Sequence, residues 1–364
     1  MKSNYKQLGQ FIRQVDVRNK DLSIDKLLGV SITKSFIPSI ANTVGTDFSN
    51  YKIVRKGQFA YGPVTSRNGE KISIALLKED DCIISSSYSV FEIICSELNA
   101  EYLMLWFMRP EFDRYARYKS HGSVREIFDW EELCSVELPV PNIEKQLEIV
   151  NSYNAIENRI ALKRQINDNL AEYLDCNYVD LAQKTQSSTF LSEICSYVTD
   201  KMTFSDIGSS IYLSTENILP NKQGVSSFGT TKPSDRLTHF QAEDVLVSNI
   251  RPYFKKMWFA TSEGGCNADV LCFRASDKRY TYILKSIMYQ DGFFDYIMSG
   301  AKGTKMPRGD KKHIMQYQIP CFSNEQLKKF NALASSIEKK QAFNRKEIVT
   351  LENSKEMLLA TLSR

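Results

Sequence analysis

The chain has 364 residues, and its 47 Lys and Arg against 43 Asp and Glu leave a formal charge of +4. The length predicts about two domains. A composition of 42% hydrophobic and 25% charged residues is typical of a globular protein and excludes a disordered or low-complexity chain. No apolar run reaches the ~18 residues of a membrane span, and Met1–Gln10 lacks the apolar core of a signal peptide. We therefore expect a soluble, cytoplasmic protein, whose mild positive charge permits nucleic-acid binding without requiring it.

The cysteines and histidines do not have the spacing of a metal site. No two cysteines form a C-x-x-C pair, and the chain has only three histidines. We therefore expect no metal, and we interpret the cysteines as buried, reduced thiols. They are Cys82, Cys95, Cys134, Cys176, Cys195, Cys266, Cys272 and Cys321.

Common enzyme motifs are missing from the sequence. There is no Pro-Pro dipeptide, which excludes the [D/N]-P-P-[F/Y/W] motif of amino-methyltransferases. No G-x-G-x-x-G is present, and the spacing of Gly303 and Gly309 does not fit a phosphate-binding loop. G-x-S-x-G and H-E-x-x-H are also absent. The acidic run Glu79-Asp80-Asp81 is more typical of a solvated turn than of a nuclease centre, so the sequence predicts no catalytic residue.

The first part of the chain predicts strands and then a helix. Strand-like runs bounded by turn residues occupy Lys71–Leu77, Cys82–Ser86 and Ser89–Cys95. A helix follows near Ala100–Tyr118, and we assign its aromatic residues to the core rather than to a surface that stacks on bases. These elements form a first domain over residues 1–141.

A long helix is predicted next, over residues 142–184. Asn142 is placed as its N-cap, and no proline or glycine interrupts the sequence that follows. Apolar residues recur in alternating steps of three and four, which is typical of a coiled-coil seam. Lys163 and Asn167 interrupt the seam and can fix its register. The seam residues are Ile149, Tyr153, Ile156, Ile160, Leu170, Leu174 and Leu181.

The same order of elements then recurs. Strands are predicted at Asp244–Ser248, Lys256–Ala260 and Asp269–Phe273, and a helix near Tyr280–Met298, in a second domain over residues 185–321. A second long helix follows over residues 322–364, with Ser323 and Gln326 spaced as a capping box. Its seam is Phe330, Ala334, Ile337, Ile348, Leu351, Leu358 and Leu362, with polar interruptions at Gln341, Asn344 and Lys355.

An internal repeat explains this recurrence. A shift of 181 residues aligns Phe112–Leu181 with Phe293–Leu362 without a gap. Identical pairs include Gly122/Gly303, Asp129/Asp310, Pro139/Pro320 and Glu144/Glu325. The predicted fold class is therefore mixed, α+β: two similar α/β domains separated by two long antiparallel helices, which form a coiled coil with pseudo-two-fold symmetry. The alternative is two ordinary amphipathic helices packed on globular cores. A helix of ~60 Å could separate two domains by one or two turns of a DNA duplex, so that each domain could read its own half-site.

The chain resembles the specificity (S) subunit of type I restriction–modification systems. In the first half the resemblance is carried by Tyr51–Pro63, Ile84–Phe91, the run His121-Gly122-Ser123-Val124-Arg125 and Leu138–Gln146. In the second half it is carried by Asp244–Pro252, Lys302-Gly303-Thr304 and Ile319–Gln326. The order of these segments and their duplication make the combination specific. Cys321-Phe322 departs from the pattern, because it replaces a second proline.

The resemblance implies that each α/β domain is a target recognition domain for one half of a bipartite, asymmetric sequence in double-stranded DNA. It also implies that two methyltransferase (M) subunits dock on the helices and that restriction/motor (R) subunits join them. S-adenosylmethionine and ATP would then be bound by those partners, and this chain would be a non-catalytic subunit without a cofactor.

Polar loops carrying Arg, Lys, Asn or Ser are the predicted DNA contacts, because such side chains read base edges and hold phosphates. The segment 301–312 has a local excess of positive charge and is the strongest candidate. Gly122 and Gly303 are interpreted as turn-formers that let the backbone approach phosphate. The predicted DNA-binding residues are Arg67, Asn68, Lys71, His121, Ser123, Arg125, Arg251, Lys255, Lys256, Lys302, Thr304, Lys305 and Arg308.

Two other functions remain open at the level of sequence. One is a diverged DNA methyltransferase or nuclease that acts on its own. The other is a scaffold that joins proteins through its coiled coil and does not touch DNA.

Overall fold

The computed structural model describes residues 5–39, 45–66, 68–122, 126–203, 211–229 and 236–362. The chain divides into two compact units, residues 1–163 with 346–364 and residues 164–345. The division runs through both long helices, so each unit contains one domain and a segment of each long helix. The sequence-predicted domain limits separate domains from helices instead, and they stay predictions.

The first unit alternates short strands with helices. Its strands are β1 (Tyr5–Gln7), β2 (Ile12–Val15), β3 (Leu28–Val30), β4 (Phe36–Pro38), β5 (Lys52–Val54), β6 (Phe59–Tyr61), β7 (Ile74–Leu76), β8 (Cys82–Ile84), β9 (Ser89–Ile93) and β10 (Glu137–Pro139). Its helices are α1 (Ala100–Phe107), α2 (Pro110–Lys119), α3 (Trp130–Cys134) and the first half of α4 (Ile143–Gln183).

The second unit has the same order of elements. Its strands are β11 (Ser188–Phe190), β12 (Cys195–Tyr197), β13 (Lys201–Thr203), β14 (Tyr212–Leu213), β15 (Arg236–Phe240), β16 (Val245–Ser248), β17 (Met257–Phe259), β18 (Gly264–Cys266), β19 (Val270–Ala275) and β20 (Gln318–Pro320). Its helices are α5 (Thr281–Tyr289), α6 (Asp291–Ser299), α7 (Lys311–Met315) and the first part of α8 (Asn324–Thr361).

The sheets confirm the repeat. In the first unit the strand order β2-β9-β6-β7 forms a four-stranded sheet, and β1 pairs with β10; in the second unit β12-β19-β16-β17 and β11-β20 are the counterparts. Corresponding prolines lie in the same register, since Tyr5 faces Pro139 and Ser188 faces Pro320. The first unit adds the pairs β3-β4 and β5-β8, whereas the second adds the sheet β13-β15-β18-β14.

The predicted strands are confirmed: five of the six have shorter bounds, and the one predicted at Asp269–Phe273 is Val270–Ala275. Each predicted domain helix, however, is two helices. The segment Ala100–Tyr118 is broken between α1 and α2, because Pro110 begins a new helix at its first turn. The segment Tyr280–Met298 is broken at Gln290, whose ψ of 142° is extended. No proline marks that second break.

Both predicted caps of the long helices are confirmed. Asn142 accepts a hydrogen bond from the backbone N–H of Lys145 at 3.0 Å. Ser323 and Gln326 form the reciprocal capping box: the Gln326 N–H donates to Ser323 Oγ at 3.3 Å and the Ser323 N–H donates to Gln326 Oε1 at 2.8 Å.

Within each unit the two helix segments run antiparallel. In the first unit Lys355 contacts Glu157, and Lys163 contacts Glu347 at 2.6 Å, so the partner number falls as the α4 number rises. In the second unit Asn344 donates to Asn167 Oδ1 at 2.8 Å. The predicted seam residues are all buried or half-buried. Pseudo-two-fold symmetry of the whole chain stays a prediction.

The helix segments are part of the domain cores as well as of a seam. Val150, Tyr153 and Leu359 lie in the core that contains Phe59, Phe91 and Phe107 of the first unit. Leu174, Tyr178 and Phe330 lie in the core of Phe273 and Phe293 in the second. The two long helices therefore pack on the domain cores as well as against each other, and the predicted mixed α/β fold class is confirmed.

The cysteines only partly match their prediction. All eight are free thiols. Cys82, Cys195, Cys266 and Cys272 are buried, Cys95 and Cys134 are half-buried, and Cys176 and Cys321 are exposed. The prediction of buried thiols is wrong for the last two, because Cys176 lies on an outer face of α4 and Cys321 in the loop between β20 and α8.

Candidate nucleic-acid interface

In the first unit the fold brings the two predicted DNA-binding loops together. His121 and Ile127 exchange backbone hydrogen bonds of 3.0 and 2.9 Å, which close a loop over residues 121–127. Ile127 also bridges to Val64, in the loop that follows β6. The Thr65 N–H donates to the Glu126 carbonyl at 2.9 Å. The loops after β6 and after α2 therefore form one surface.

The second unit repeats the closed loop at an offset of 181 residues, and again bridges it to the loop after the corresponding strand. Lys302 and Arg308 exchange backbone hydrogen bonds of 2.9 Å each, and Arg308 bridges to Ile250 in the loop after β16. The Arg251 N–H donates to the Pro307 carbonyl at 2.8 Å. We name these two surfaces the first and second loop pair: the described residues 62–66, 68–71, 121–122 and 126–127, and residues 249–256 with 302–308.

Glycine is required in both closed loops. Gly122 has φ of 135° and Gly303 has φ of 98°, in the region that side chains rarely adopt. A Cβ on Gly303 would also lie 3.3 Å from the Met306 carbonyl oxygen. The interpretation of both residues as turn-formers is therefore confirmed.

The second loop pair contains backbone strain. Arg251 and Lys255 both have φ of 51° and flank a short 3-10 turn, Pro252–Phe254. Left-handed residues other than glycine cost free energy and persist where the surrounding contacts determine the conformation, which is common at functional sites. The Nε atom of Arg251 is buried without a hydrogen-bond partner among the described residues.

Basic side chains of the second loop pair are exposed, and aspartates anchor two of them. Lys302, with 81% of its side chain exposed, contacts Asp310 at 2.7 Å. Arg308 contacts Asp269 at 3.0 Å. The hydrogen bond from Lys302, together with backbone N–H groups of α7, lowers the pKa of Asp310 to about 2. Lys305 and Thr304 are exposed beside them. Surface pairs of this kind are weak and exchange readily for phosphate contacts.

Two residues that were predicted to contact DNA interact with other residues of the second unit. Lys255 contacts Asp291 at 2.9 Å, and Lys256 donates to the Thr215 carbonyl at 2.8 Å. Lys222 also contacts Asp291, at 2.7 Å, and the two lysines lower the pKa of that carboxyl to about 2. These interactions give Lys255 and Lys256 an internal structural role, and their contact with DNA stays a prediction.

The first loop pair is less basic. Lys71 and His121 are exposed, and Asn68 is half-buried and donates to the Val64 carbonyl at 3.3 Å. His121 lies 3.6 Å from Glu132. Arg67, Ser123 and Arg125 lie outside the described residues. The DNA-binding role of all thirteen predicted residues stays a prediction.

The sequence interpretation missed the acidic anchors of these loops. Asp310 holds Lys302 and also caps α7, since its Oδ1 accepts from the N–H groups of Lys312 and His313. Asp129 caps α3 in the same way. The identity of Asp129 and Asp310 in the repeat was the signal that could have found them.

The described residues contain neither a metal cluster nor a membrane-spanning helix. No group of three or more His, Cys, Asp or Glu in the described ranges could hold a metal ion. Among the same residues, no helix has both the length and the apolar character that a membrane crossing needs.

Comparisons with known proteins identify the family of the first domain. Residues 26–172 match the family described as type I restriction modification DNA specificity domain. A search of the curated proteins finds no match. Among solved structures, the S subunit of a type I restriction-modification system from M. genitalium is 13% identical, with a TM-score of 0.53 over 99% of this chain and 96% of that one. The HsdS subunit from Thermoanaerobacter tengcongensis is 15% identical, with a TM-score of 0.41 over 99% and 96%.

At such identity the likeness to the M. genitalium subunit concerns the fold alone, and it extends over both repeats. The match over residues 26–172 concerns the family. The chain therefore carries the DNA specificity domain of type I restriction–modification systems, and the resemblance predicted from the sequence is confirmed.

Proposed function

We propose that the chain reads a bipartite, asymmetric DNA sequence, one half-site with each loop pair. The observation that carries this proposal is the recurrence of one closed loop, 121–127 and 302–308, bridged in each unit to the loop after the corresponding strand. A glycine-turned loop pair that recurs in one chain, strongly basic in the second unit and less basic in the first, suits two DNA half-sites. Because the side chains on the two surfaces differ, the half-sites should differ in sequence.

We further propose that the chain is non-catalytic and acts in the cytoplasm with two methyltransferase subunits and with restriction/motor subunits. The partners would bind S-adenosylmethionine and ATP. Large apolar side chains exposed on the long helices support protein docking there, because such residues often mark interfaces. They are Leu162 (57% exposed) and Met357 (70%) in the first unit, and Tyr173 (55%) and Phe343 (60%) in the second.

The triple variant Lys302→Ala, Lys305→Ala and Arg308→Ala tests DNA reading in the complex reconstituted with its methyltransferase subunits. Each lost phosphate contact should lower the slope of log affinity against log salt by about 0.9, and affinity for the target should fall by roughly 10- to 100-fold. Titration of labelled duplex at several salt concentrations measures both. Lys278→Ala, an exposed lysine outside the loop pair, is the control and should bind as the wild type does. Unchanged binding by the triple variant would favour a scaffold that does not touch DNA.

The alternative of a self-sufficient methyltransferase is tested with the purified chain. Offered S-adenosylmethionine and DNA without partners, it should transfer no methyl group. Robust transfer would overturn the proposal of a non-catalytic subunit.

A further inference from the structure

The second loop pair exposes three large apolar side chains beside its basic residues. Tyr253 is 47% exposed, Phe254 39% and Met306 47%. The rings of Tyr253 and Phe254 lie 4.7 Å apart between centroids and are inclined by 54°, so that they cover each other in part. We name these three residues the apolar tip. Apolar side chains clustered at the surface of a soluble domain commonly mark a binding site.

The backbone that carries the apolar tip is fixed on the side of the closed loop. Arg251, immediately before Pro252 and Tyr253, donates its N–H to the carbonyl of Pro307, which follows Met306. This 2.8 Å hydrogen bond joins the two segments of the tip.

On its other side the turn is held by a neighbouring hairpin. The N–H groups of Asn221 and Lys222 donate to the carbonyls of Phe254 and Lys255, at 2.8 Å each. Asn221 and Lys222 themselves have φ of 54° and 61°. A surface fixed in this way loses little conformational entropy when it binds.

The basic residues near the apolar tip indicate the class of ligand that it binds. Lys302, Lys305 and Arg308 are exposed on the same closed loop as Met306. Cations on a loop that is hydrogen-bonded to an apolar turn suit a duplex, in which phosphates border the groove and base edges form its floor. Asp310 and Asp269 already pair with Lys302 and Arg308, whereas Lys305 is exposed on the same loop. An apolar protein surface would add no counter-charge to these cations, so DNA is the ligand that the arrangement fits.

We propose that the apolar tip contacts thymine 5-methyl groups in the major groove of the half-site read by the second unit, an inference that rests on the DNA-reading function proposed above. Among the base edges in the major groove, the thymine methyl is the apolar group. A wedge that enters a base step needs a projecting side chain. Tyr253 and Phe254 instead lie half-covered against each other and present a broad face, which suits contact with methyl groups at the edge of the base stack.

The test removes one methyl group at a time. Methylation mapping in cells that carry the complete system defines the target, and each thymine in it is then replaced by deoxyuridine in a synthetic duplex. The reconstituted complex should bind about three- to fivefold more weakly for at least one such replacement, all of them in one half-site, as expected for the loss of one buried methyl.

Variants assign the methyl contact to the apolar tip. Tyr253→Ala or Met306→Ala should bind the thymine and deoxyuridine duplexes equally, whereas Tyr253→Phe should keep the full difference because no hydroxyl is needed. Phe190→Ala is the control, because this side chain is 46% exposed but lies on β11, outside the second loop pair. This variant should keep the full difference in affinity between the thymine and deoxyuridine duplexes. Thermal unfolding of each variant complex checks that the fold is retained.

Several results would overturn the inference while leaving the proposed function in place. They are a target in which neither half-site contains thymine, full tolerance of every deoxyuridine, or a difference that persists in both alanine variants. Fluorescence of 2-aminopurine that rises in the wild-type complex and not in Tyr253→Ala would show a wedge instead. If the wild-type complex selects no sequence at all, the proposed function itself fails.

Discussion

At equivalent positions the two repeats are packed with different kinds of side chain. On α2 of the first unit, Asp113 is buried and contacts Lys34 at 2.6 Å, with 10% and 6% of their side chains exposed. The position 181 residues later, on α6, is Phe294, which is 1% exposed in an apolar core. The ion pair ties the β3-β4 hairpin to α2, and the second unit has no counterpart of that hairpin among its described strands. A polar pair thus accompanies the added element.

The junction between domain and long helix also differs. Gln146, fully buried, accepts from the Asn99 N–H at 2.8 Å and donates to the carbonyls of Glu97 and Pro141 at 2.7 and 2.8 Å. Its counterpart is the apolar Leu327. The N–H of Tyr280, counterpart of Asn99, is instead satisfied within a 3-10 turn by Asp277. Equivalent backbone groups are satisfied by a side chain in one repeat and by local backbone in the other.

The largest effect is expected from breaking the buried ion pair. Lys34→Ala leaves the Asp113 carboxylate without its cation and should lower the free energy of unfolding of the first unit by about 3–5 kcal/mol. Burial already lowers the pKa of Lys34, which shows that the surroundings oppose the charge unless Asp113 compensates it. Urea unfolding of the full chain measures the loss.

The matched double variant makes the first repeat resemble the second. Lys34→Met with Asp113→Phe replaces the pair by apolar groups and should recover part of the stability, because well-packed apolar residues often substitute for a buried pair. The recovery is reduced by the Ile72 N–H, which donates to Asp113 at 3.1 Å and loses that partner. A double variant as unstable as Lys34→Ala would show that the apolar packing of the second repeat cannot replace the ion pair in the first.

The next largest effect is expected at the junction. Gln146→Leu leaves one backbone N–H and two carbonyls unpaired and should cost about 2–3 kcal/mol in urea unfolding. Leu147→Gln, at the neighbouring position and 41% exposed, should change stability by less than about 0.5 kcal/mol. If the two variants behave alike, Gln146 does not anchor the helix.

A smaller effect is expected at the polar contact between the helices of the second unit. Asn344 is fully buried and donates to Asn167, so Asn167→Ala should cost about 1–2 kcal/mol by leaving a buried amide unpaired. Asn169→Ala, exposed on the same helix, should be neutral. Replacement of both Asn167 and Asn344 by Leu should restore stability but relax the register of the two segments. Stability that stays low in the double variant would mean that the cost has another origin.

Sequence patterns predicted the scaffold because each feature had a local cause. The seam followed from steps of three and four residues, and the caps followed from Asn142 and Ser323 with Gln326. The repeat placed Gly122 and Gly303 at equivalent turns, which their positive φ angles confirm. Charge and loop composition predicted basic loops, which the fold brings together in each unit.

What the sequence did not predict depends on contacts between distant segments. Lys34 and Asp113 are 79 residues apart. No proline lies at the break at Gln290. The Gln290 side chain donates a hydrogen bond to Asp175 on α4, at 2.6 Å. The apolar tip was missed for the same reason, because the exposure of Tyr253 and Met306 is set by how two loops meet.

The smallest effect on stability is expected at Asp291, and its dependence on pH distinguishes the contribution of the carboxylate charge from that of packing. Lys222 and Lys255 lower the pKa of Asp291 to about 2, below its ordinary value of 3.8. The stability gained is therefore present above about pH 4 and is lost as the pH falls through about 2. Since the carboxylate is 59% exposed, Asp291→Asn should cost no more than about 1 kcal/mol at pH 7.

Unfolding of wild type and Asp291→Asn at pH 7, 4 and 2 measures this dependence, and the difference between them should shrink at pH 2. Asp295→Asn, exposed on the same helix, is the control and should match the wild type at every pH. A difference that persists at pH 2 would assign the effect to hydrogen bonding or packing of Asp291 rather than to its charge. Because Lys255 ends the turn that carries Tyr253 and Phe254, Asp291→Asn should also weaken binding to the thymine-containing duplex more than to its deoxyuridine counterpart.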